Sequence, residues 1–409
     1  MTNAFTLEKV LQELGRGNQI SIVSLLNYLI EHAQHSGASD IHIDPTPTSV
    51  RVRLRIDGVL QESFSFPQNI HSEIISRIKV VSKLRTDEHQ ATQDGRFRYN
   101  FFQSESFLDI RVSIIPTYYG ENAVLRLLSD TAAAFTLASL GFSNTDTEKI
   151  THALKRSSGM ILSTGPTGSG KTTTLYTLIK MLNSPEVSIV TIEDPIEYAV
   201  TNIEQIQVNT KTGLTFANGL RSILRQDPDI IMVGEIRDTE TAGIAVNTAL
   251  TGHLLLSTLH TSDAATTLPR LLDMGIEAYL IASTVNIAIG QRLVRKICTH
   301  CKEKISISPS MRETFHSTPS MKIFEHTEFL YKGKGCEICN QSGYNGRISI
   351  NEVLVADDDI KDAIVRKANA NEIKKIAILN GMTTMLADGC EKVLSGLTTL
   401  DEIFRVIYE

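Results

Sequence analysis

Residues 165–172 read Gly165-Pro166-Thr167-Gly168-Ser169-Gly170-Lys171-Thr172, a G-x-x-x-x-G-K-T run lying between the apolar stretch Met160–Leu162 and a helical segment. This succession dictates a strand, a tight glycine-rich turn and a helix, the opening unit of a parallel α/β sheet. The glycines let the backbone wrap closely around phosphate oxygens, and the N–H groups of the turn and the helix N-terminus supply positive potential there. In such a turn Lys171 bridges the β- and γ-phosphates of a nucleotide, and the Thr172 hydroxyl ligates Mg2+. All eight residues, with Thr173 after them, are the expected nucleotide contacts.

The rest of the chain sorts around that unit. Val187–Ile192, Ile230–Val233 and Leu254–Leu256 are short continuous apolar runs separated by helical segments, the pattern of strands buried on both faces. Upstream the texture differs. Apolar residues from Ile20 to Ile30 recur at helical spacing, Ile41 and Ile43 alternate with Asp40, His42 and Asp44, and Val50, Val52, Leu54 and Ile56 alternate with Arg51, Arg53, Arg55 and Asp57. Asp57-Gly58 predicts a hairpin turn, Ile74 to Leu84 a second helix, and Ile110 to Ile114 a strand ended by Pro116. The expected order is a helical lead-in (1–35), a small α+β domain (36–130), a linker (131–143), the α/β nucleotide domain (144–292), a cysteine-bearing segment (293–350) and a helical tail (351–409). The last helix of that tail opens with Thr399-Leu400-Asp401-Glu402, a capping-box spelling.

Two further strand ends carry charge. Asp227-Pro228-Asp229-Ile230-Ile231-Met232-Val233-Gly234-Glu235 is an apolar strand with carboxylates at both ends. Ligands of open α/β sheets bind at the C-terminal ends of strands, so Glu235 and not Asp229 faces the phosphates, where it can polarise the attacking water as general base. Thr191-Ile192-Glu193-Asp194-Pro195-Ile196-Glu197-Tyr198 puts a carboxylate cluster, Glu193 first, at the end of another buried strand, which suits an outer-sphere Mg2+ site. His253 and His260 flank a third strand, and either is a candidate γ-phosphate sensor.

Four of the five cysteines form Cys298-Thr299-His300-Cys301 and Cys336-Glu337-Ile338-Cys339, a C-x2-C-x34-C-x2-C spacing. Two such knuckles supply four thiolates to one tetrahedral Zn2+, a closed structural site without an open position for catalysis. Cys390, the fifth, is expected as a buried thiol. A formal net charge of −6 and a pI near 6.0, with no basic segment interleaved with aromatics, disfavour nucleic acid as the partner. The N-terminus has no basic-then-apolar leader and no segment approaches about 18 uninterrupted apolar residues, so the expected location is cytoplasmic. No N-K-x-D element follows the glycine-rich loop, which counts against a GTPase.

Taken in order, G-P-T-G-S-G-K-T, T-I-E-D-P-I-E-Y, L-R-Q-D-P-D-I-I-M-V-G-E-I-R-D, T-G-H-L-L-L-S-T-L-H-T and Q-R-L-V-R at Gln291–Arg295 resemble the ATPases of type II secretion and type IV pilus assembly, with their Walker A, Asp box, Walker B and His box. The resemblance implies a RecA-like P-loop ATPase core preceded by a PAS-like α+β domain, with ATP between them, a tetracysteine zinc subdomain and a helical C-terminal tail. It further implies a homo-hexamer in which Mg-ATP hydrolysis drives rotation between the domains, peripheral to the inner membrane through a platform protein and other machinery proteins. Arg96 and Arg111 match family arginines that reach the phosphates from the first domain, and a transition-state arginine is worth about 10³–10⁵ in rate. Arg221 and Arg225 match arginines near the site or the subunit boundary. The cysteines resemble those of the assembly and secretion branch, whereas the retraction branch lacks them. Family members usually carry a further N-terminal docking domain, and here only residues 1–35 precede the first domain. The alternative is a nucleic-acid translocase or helicase on the same RecA-like core, against which the acidic pI speaks.

Overall fold

The computed structural model describes residues 3–101, 106–128, 135–308 and 319–408, and its contacts divide the chain into two units, Met1–Ala133 and Ala134–Glu409. In the first unit, helices α1 (Asn3–Leu14) and α2 (Ile22–His35) are followed by β1 (Ala38–Pro45), β2 (Ser49–Ile56), β3 (Val59–Pro67), α3 (His71–Val81), β4 (Gln93–Asn100), β5 (Phe107–Thr117) and β6 (Gly120–Leu128). The strands form one antiparallel sheet ordered β3-β2-β1-β6-β5-β4. Its period-two apolar residues, among them Ile41, Ile43, Val50, Val52, Leu54, Ile110 and Ile114, are buried against Leu25, Leu29 and Ile30 of α2 and Ile74, Ile75 and Ile78 of α3. Asp57 and Gly58 both take positive φ, 49° and 86°, as a two-residue hairpin turn requires. The expected stop at Pro116 is corrected, because β5 continues through it. Pro116 pairs with Glu121 of β6 but lies beyond Ile114, the last residue paired with β4, so its missing N–H removes no rung from that ladder.

The second unit begins with α4 (Leu137–Leu140), α5 (Asn144–Leu154), β7 (Gly159–Thr164), α6 (Lys171–Leu182), β8 (Ile189–Glu193), β9 (Glu204–Gln207), α7 (Phe216–Ile223) and β10 (Ile230–Val233). It continues with α8 (Thr239–Leu250), β11 (Leu254–Leu259), α9 (Thr267–Asp273), α10 (Ala278–Thr284) and β12 (Val285–Ile297). The sheet order is β15-β12-β7-β11-β10-β8-β9, parallel throughout except that β15 (Tyr344–Val355) runs antiparallel to β12. Met160 and Leu162 point into a core shared with α7 to α10, while Ile161 between them points into another shared with α4, α5 and α6. Helices cover both faces, which is why the strands read as unbroken apolar runs.

Between β12 and β15 the chain leaves the sheet, adding the antiparallel pair β13 (Lys302–Ser306) and β14 (Phe329–Gly333). After β15 come α11 (Asp358–Val365), α12 (Ala370–Leu379), α13 (Met385–Leu394) and α14 (Leu400–Tyr408). Cys390 is fully buried with Val393 and Ile403 against Val294 and Ile350. At α14 only half of the capping box forms. The Thr399 hydroxyl accepts the Glu402 N–H at 3.4 Å, but the Glu402 carboxylate turns to Arg295 and Arg405.

Candidate active site

The loop from the end of β7 to the start of α6 takes positive φ at Gly165, Gly168 and Gly170 (142°, 78° and 94°). Gly165 is the tightest of these positions, for a Cβ there would stand 2.4 Å from the Gln291 carbonyl oxygen on β12. Lys171 opens α6, is buried, and donates to the carbonyl oxygens of Gly165 and Pro166 at 2.8 and 3.0 Å. Burial lowers its pKa and the nearby Glu235 carboxylate pushes it back up. The Ser169 hydroxyl is buried without a hydrogen-bond partner, while Thr167, Gly168 and Thr172 are open to solvent. A cation curled onto its own loop, an orphaned hydroxyl and a turn built on three glycines of positive φ fit an anion bearing several oxygens.

Glu235 lies two residues past β10, is 8% exposed, and is held from both sides by Arg237 at 2.6 Å and His260 Nε2 at 2.9 Å. His260 follows β11, whose register with β7 ends at Leu259 opposite Thr164, the residue before Gly165. The Thr261 N–H donates to the Thr164 hydroxyl at 3.1 Å and that hydroxyl donates to the Thr261 carbonyl at 3.0 Å, so the two loops leave the sheet together. His253 sits at the other edge. Its carbonyl accepts the N–H of Gly159, at the start of β7, and its ring nitrogen lies 3.2 Å from the Thr248 carbonyl. Asp229 shares that far edge, accepting the Ser188 N–H at 2.8 Å.

Glu193 closes β8 on the loop edge, 2% exposed, with its carboxylate accepting from Tyr176 of α6 at 2.5 Å, Thr191 at 2.7 Å and Gln205 at 3.2 Å. Burial raises its pKa and these three donors draw it back down. Arg221 and Arg225 engage the surface of α7 and α8: Arg221 pairs with Glu240 at 2.7 Å and Arg225 donates to the Arg221 carbonyl and the Ser222 hydroxyl. In the first unit, Arg96 and Arg111 stand directly opposite one another on β4 and β5, and Arg111 opposes Arg126 on β6. Their row lies on the face away from the core. Arg53 and Arg55 pair with Asp44 and Asp40 and hold β2 to β1. Motif reading does not single out Arg237 or Tyr176; the signal for Arg237 was its i, i+2 spacing from Glu235 in a non-helical stretch.

The four paired cysteines come together, all Sγ atoms within 4.8 Å of one another. Cys298–Cys336 and Cys301–Cys339 are each 3.8 Å apart and Cys336–Cys339 3.6 Å. A Zn–S bond of about 2.3 Å sets a tetrahedral sulfur–sulfur edge of about 3.8 Å, so the thiols fit that ion. The Gly335 N–H points at Cys301 Sγ and the Gly343 N–H at Cys339 Sγ, each at 3.3 Å. Burial pushes both Cys339 and Cys301 up, but the N–H groups of Cys336 and Gly343 with the neighbouring thiols bring Cys339 down to about 7, while the other thiols help to hold Cys301 up at about 11, so the four titrate as one cluster.

The family model described as "Type II/IV secretion system protein" matches residues 16–405. The chain belongs to that family. It is similar to type II secretion system protein E of Xanthomonas campestris pv. campestris, 46% identical over 392 residues that make up 95% of this chain and 68% of that protein. It is also similar to the type IV pilus assembly ATPase PilB of Thermus thermophilus, 45% identical over 92% of this chain but only 42% of that protein. Among solved structures, the pilus retraction motor PilT with bound ADP matches at a TM-score of 0.62 and 26% identity, covering 93% of this chain and 96% of that one. The likeness bears out the α/β ATPase fold expected from the sequence. Among the described residues, no helix is long and apolar enough to cross a membrane.

Proposed function

We propose that this chain is the ATP-driven motor subunit of a machine for type II secretion or type IV pilus assembly. As a member of this ATPase family it is an ATP hydrolase. The observation that carries the assignment of the site is that Lys171, Glu235 and His260 share the glycine-loop edge of one parallel sheet. On binding ATP, Lys171 exchanges its two loop carbonyls for β- and γ-phosphate oxygens, and the N–H groups of the loop take up the rest of the charge. Thr172, Glu193 and Glu235 would hold Mg2+, directly or through water, and the bound ion would supply charge neutralisation at the phosphates. Glu235 takes the proton of the attacking water, with His260 against its other oxygen fixing the carboxylate. Arg96 and Arg111 of a PAS-like first domain reach the phosphates at the transition state, and Arg221 and Arg225 serve at the site or the subunit boundary.

The working form in this reading is a cytoplasmic homo-hexamer, peripheral to the inner membrane through a platform protein, in which hydrolysis rotates the PAS-like domain (36–130) against the RecA-like one (144–292). Zinc on Cys298, Cys301, Cys336 and Cys339 would be structural, and it supports a place in assembly or export. The test is a multiple-turnover phosphate-release assay with Mg-ATP. Lys171→Ala abolishes turnover and Glu235→Gln strongly reduces it; unchanged turnover in both variants refutes the site.

A further inference from the structure

Behind the loop that carries His260 lies a charge cluster with no part in the chemistry above. After His260 the chain turns through Thr261 and Asp263 into α9. Glu352 of β15, 1% exposed, accepts the Ala264 N–H at 2.8 Å with one carboxylate oxygen and the Met385 N–H, at the start of α13, at 3.3 Å with the other. Asp263 accepts the Thr266 N–H at 2.9 Å and receives the Lys374 ammonium of α12 at 3.0 Å. Gly290 of β12 leaves the room for this packing: a Cβ there would lie 2.9 Å from Glu352 Cγ and 3.0 Å from the Ala264 nitrogen.

Burial raises the pKa of Glu352 and the Asp263 carboxylate adds to it, while Lys374 and the Ala264 N–H draw it down, so Lys374, which also pairs with Asp263, is the cation that favours both carboxylates in their charged form. Without it, one carboxylate must take a proton or the two must move apart. Movement of Asp263 does not stay local. Thr261, between Asp263 and His260, is hydrogen-bonded to Thr164, and Thr164 precedes Gly165. The segment 261–264 is thus fastened at one end to Thr164, the last residue of β7, and at the other to β15, α12 and α13.

We propose that Lys374 and Glu352 are positioning residues for hydrolysis, holding residues 260–264 so that His260 meets Glu235 and making turnover answer to the placement of α12 and α13. The inference rests on the ATPase reading of the site. It separates chemistry from nucleotide affinity, because the cluster touches the loop of His260 and none of the residues that cradle phosphate.

The experiment is steady-state ATP hydrolysis by the full chain with Mg2+, with the thermal midpoint of each variant measured alongside. Lys374→Met is expected to lower kcat roughly tenfold with KM within about twofold, since a small displacement of a reacting group acts on the chemical step. Lys374→Arg, which keeps the cation, retains about half of wild-type kcat or more. Asp263→Asn placed in the Lys374→Met background recovers most of the loss, because it removes one of the two like charges and keeps an acceptor for Thr266. An unchanged kcat in Lys374→Met, a loss carried by KM alone, or an arginine variant as slow as the methionine one overturns the inference. A wild-type chain without turnover overturns the ATPase reading and this inference with it. Turnover that is sensitive to Glu235→Gln but indifferent to Lys374→Met sinks only the positioning role.

Discussion

Replacing Gly165 by alanine separates the shape of the phosphate cradle from its charge. The new Cβ would stand 2.4 Å from the Gln291 carbonyl oxygen and 2.7 Å from the Ser169 hydroxyl, at φ +142°. The first neighbour cannot swing aside. It is backbone of β12, held to β7 through Gly290 and Thr164 and to β15 through Gln291 and Asn351. Backbone strain of this kind costs about 1–3 kcal/mol, and forcing a methyl into a packed site costs about as much again. The alternative is for the loop to move outward by about 1 Å, to the 3.4 Å of an ordinary contact, and misplacement on that scale lowers turnover up to about 100-fold. Gly168, three residues on, is the control. Its φ is +78° and a Cβ would meet nothing within 4 Å, so only the left-handed backbone cost of about 1–2 kcal/mol applies. In thermal melts of the nucleotide-free chain, Gly165→Ala is expected to fall below Gly168→Ala by roughly 2–10 °C, with the larger loss of ATP turnover. Equal midpoints, or a more damaging Gly168→Ala, would refute the steric account of the loop.

Three other outcomes follow from the geometry. His260→Ala is expected to cut phosphate release about 10–100-fold while His253→Ala leaves it within about twofold, since only His260 contacts Glu235; equal losses would show that the sheet edge does not decide the role. Elemental analysis is expected to find one zinc per chain, lost in Cys336→Ser together with several degrees of thermal midpoint, and a metal-free wild type would refute the site. Burial alone would raise the pKa of Glu402, but the donors of Arg405 and Arg295 outweigh it and hold it at about 2, below the usual 4.5. A carboxylate depressed by folding stabilises fully above its ordinary value and loses that contribution as pH falls from 4.5 towards 2, here about 3 kcal/mol in all. Glu402→Gln should flatten that acid limb of a stability–pH curve, and an unaltered limb would count against the Arg295–Glu402–Arg405 anchor.

Local pattern carried the interior of the second unit and stopped at its edge. β7, β8, β10 and β11 are legible because both faces are buried and every residue must be apolar or hydrogen-bonded. β12 is not legible, for its apolar start runs into Gln291, Arg292 and Arg295, and its partner β15 lies beyond the cysteine segment. Glu352 reads as a lone carboxylate among Ile350, Val353 and Leu354; the N–H groups that accommodate it stand 88 and 33 residues away. The capping-box spelling at Thr399 misled in part, because Glu402 found stronger partners in Arg295 and Arg405 than in the backbone of its own helix.

The choice between the two histidines shows where side-chain chemistry ends and topology begins. His253 and His260 have the same ring and flank the same strand, and nothing in either residue type ranks them. Strand direction does. In a parallel sheet all C-terminal ends fall on one edge, so once Lys171 follows β7, the residues at or after the ends of β8, β10 and β11, namely Glu193, Glu235 and His260, must share its edge. By the same rule His253 and Asp229, which precede β11 and β10, stand a strand's length away. The hydrogen bonds of His253 to Thr248 and of Asp229 to Ser188 are then structural contacts of the far edge, and mutation there should read out in stability before it reads out in turnover.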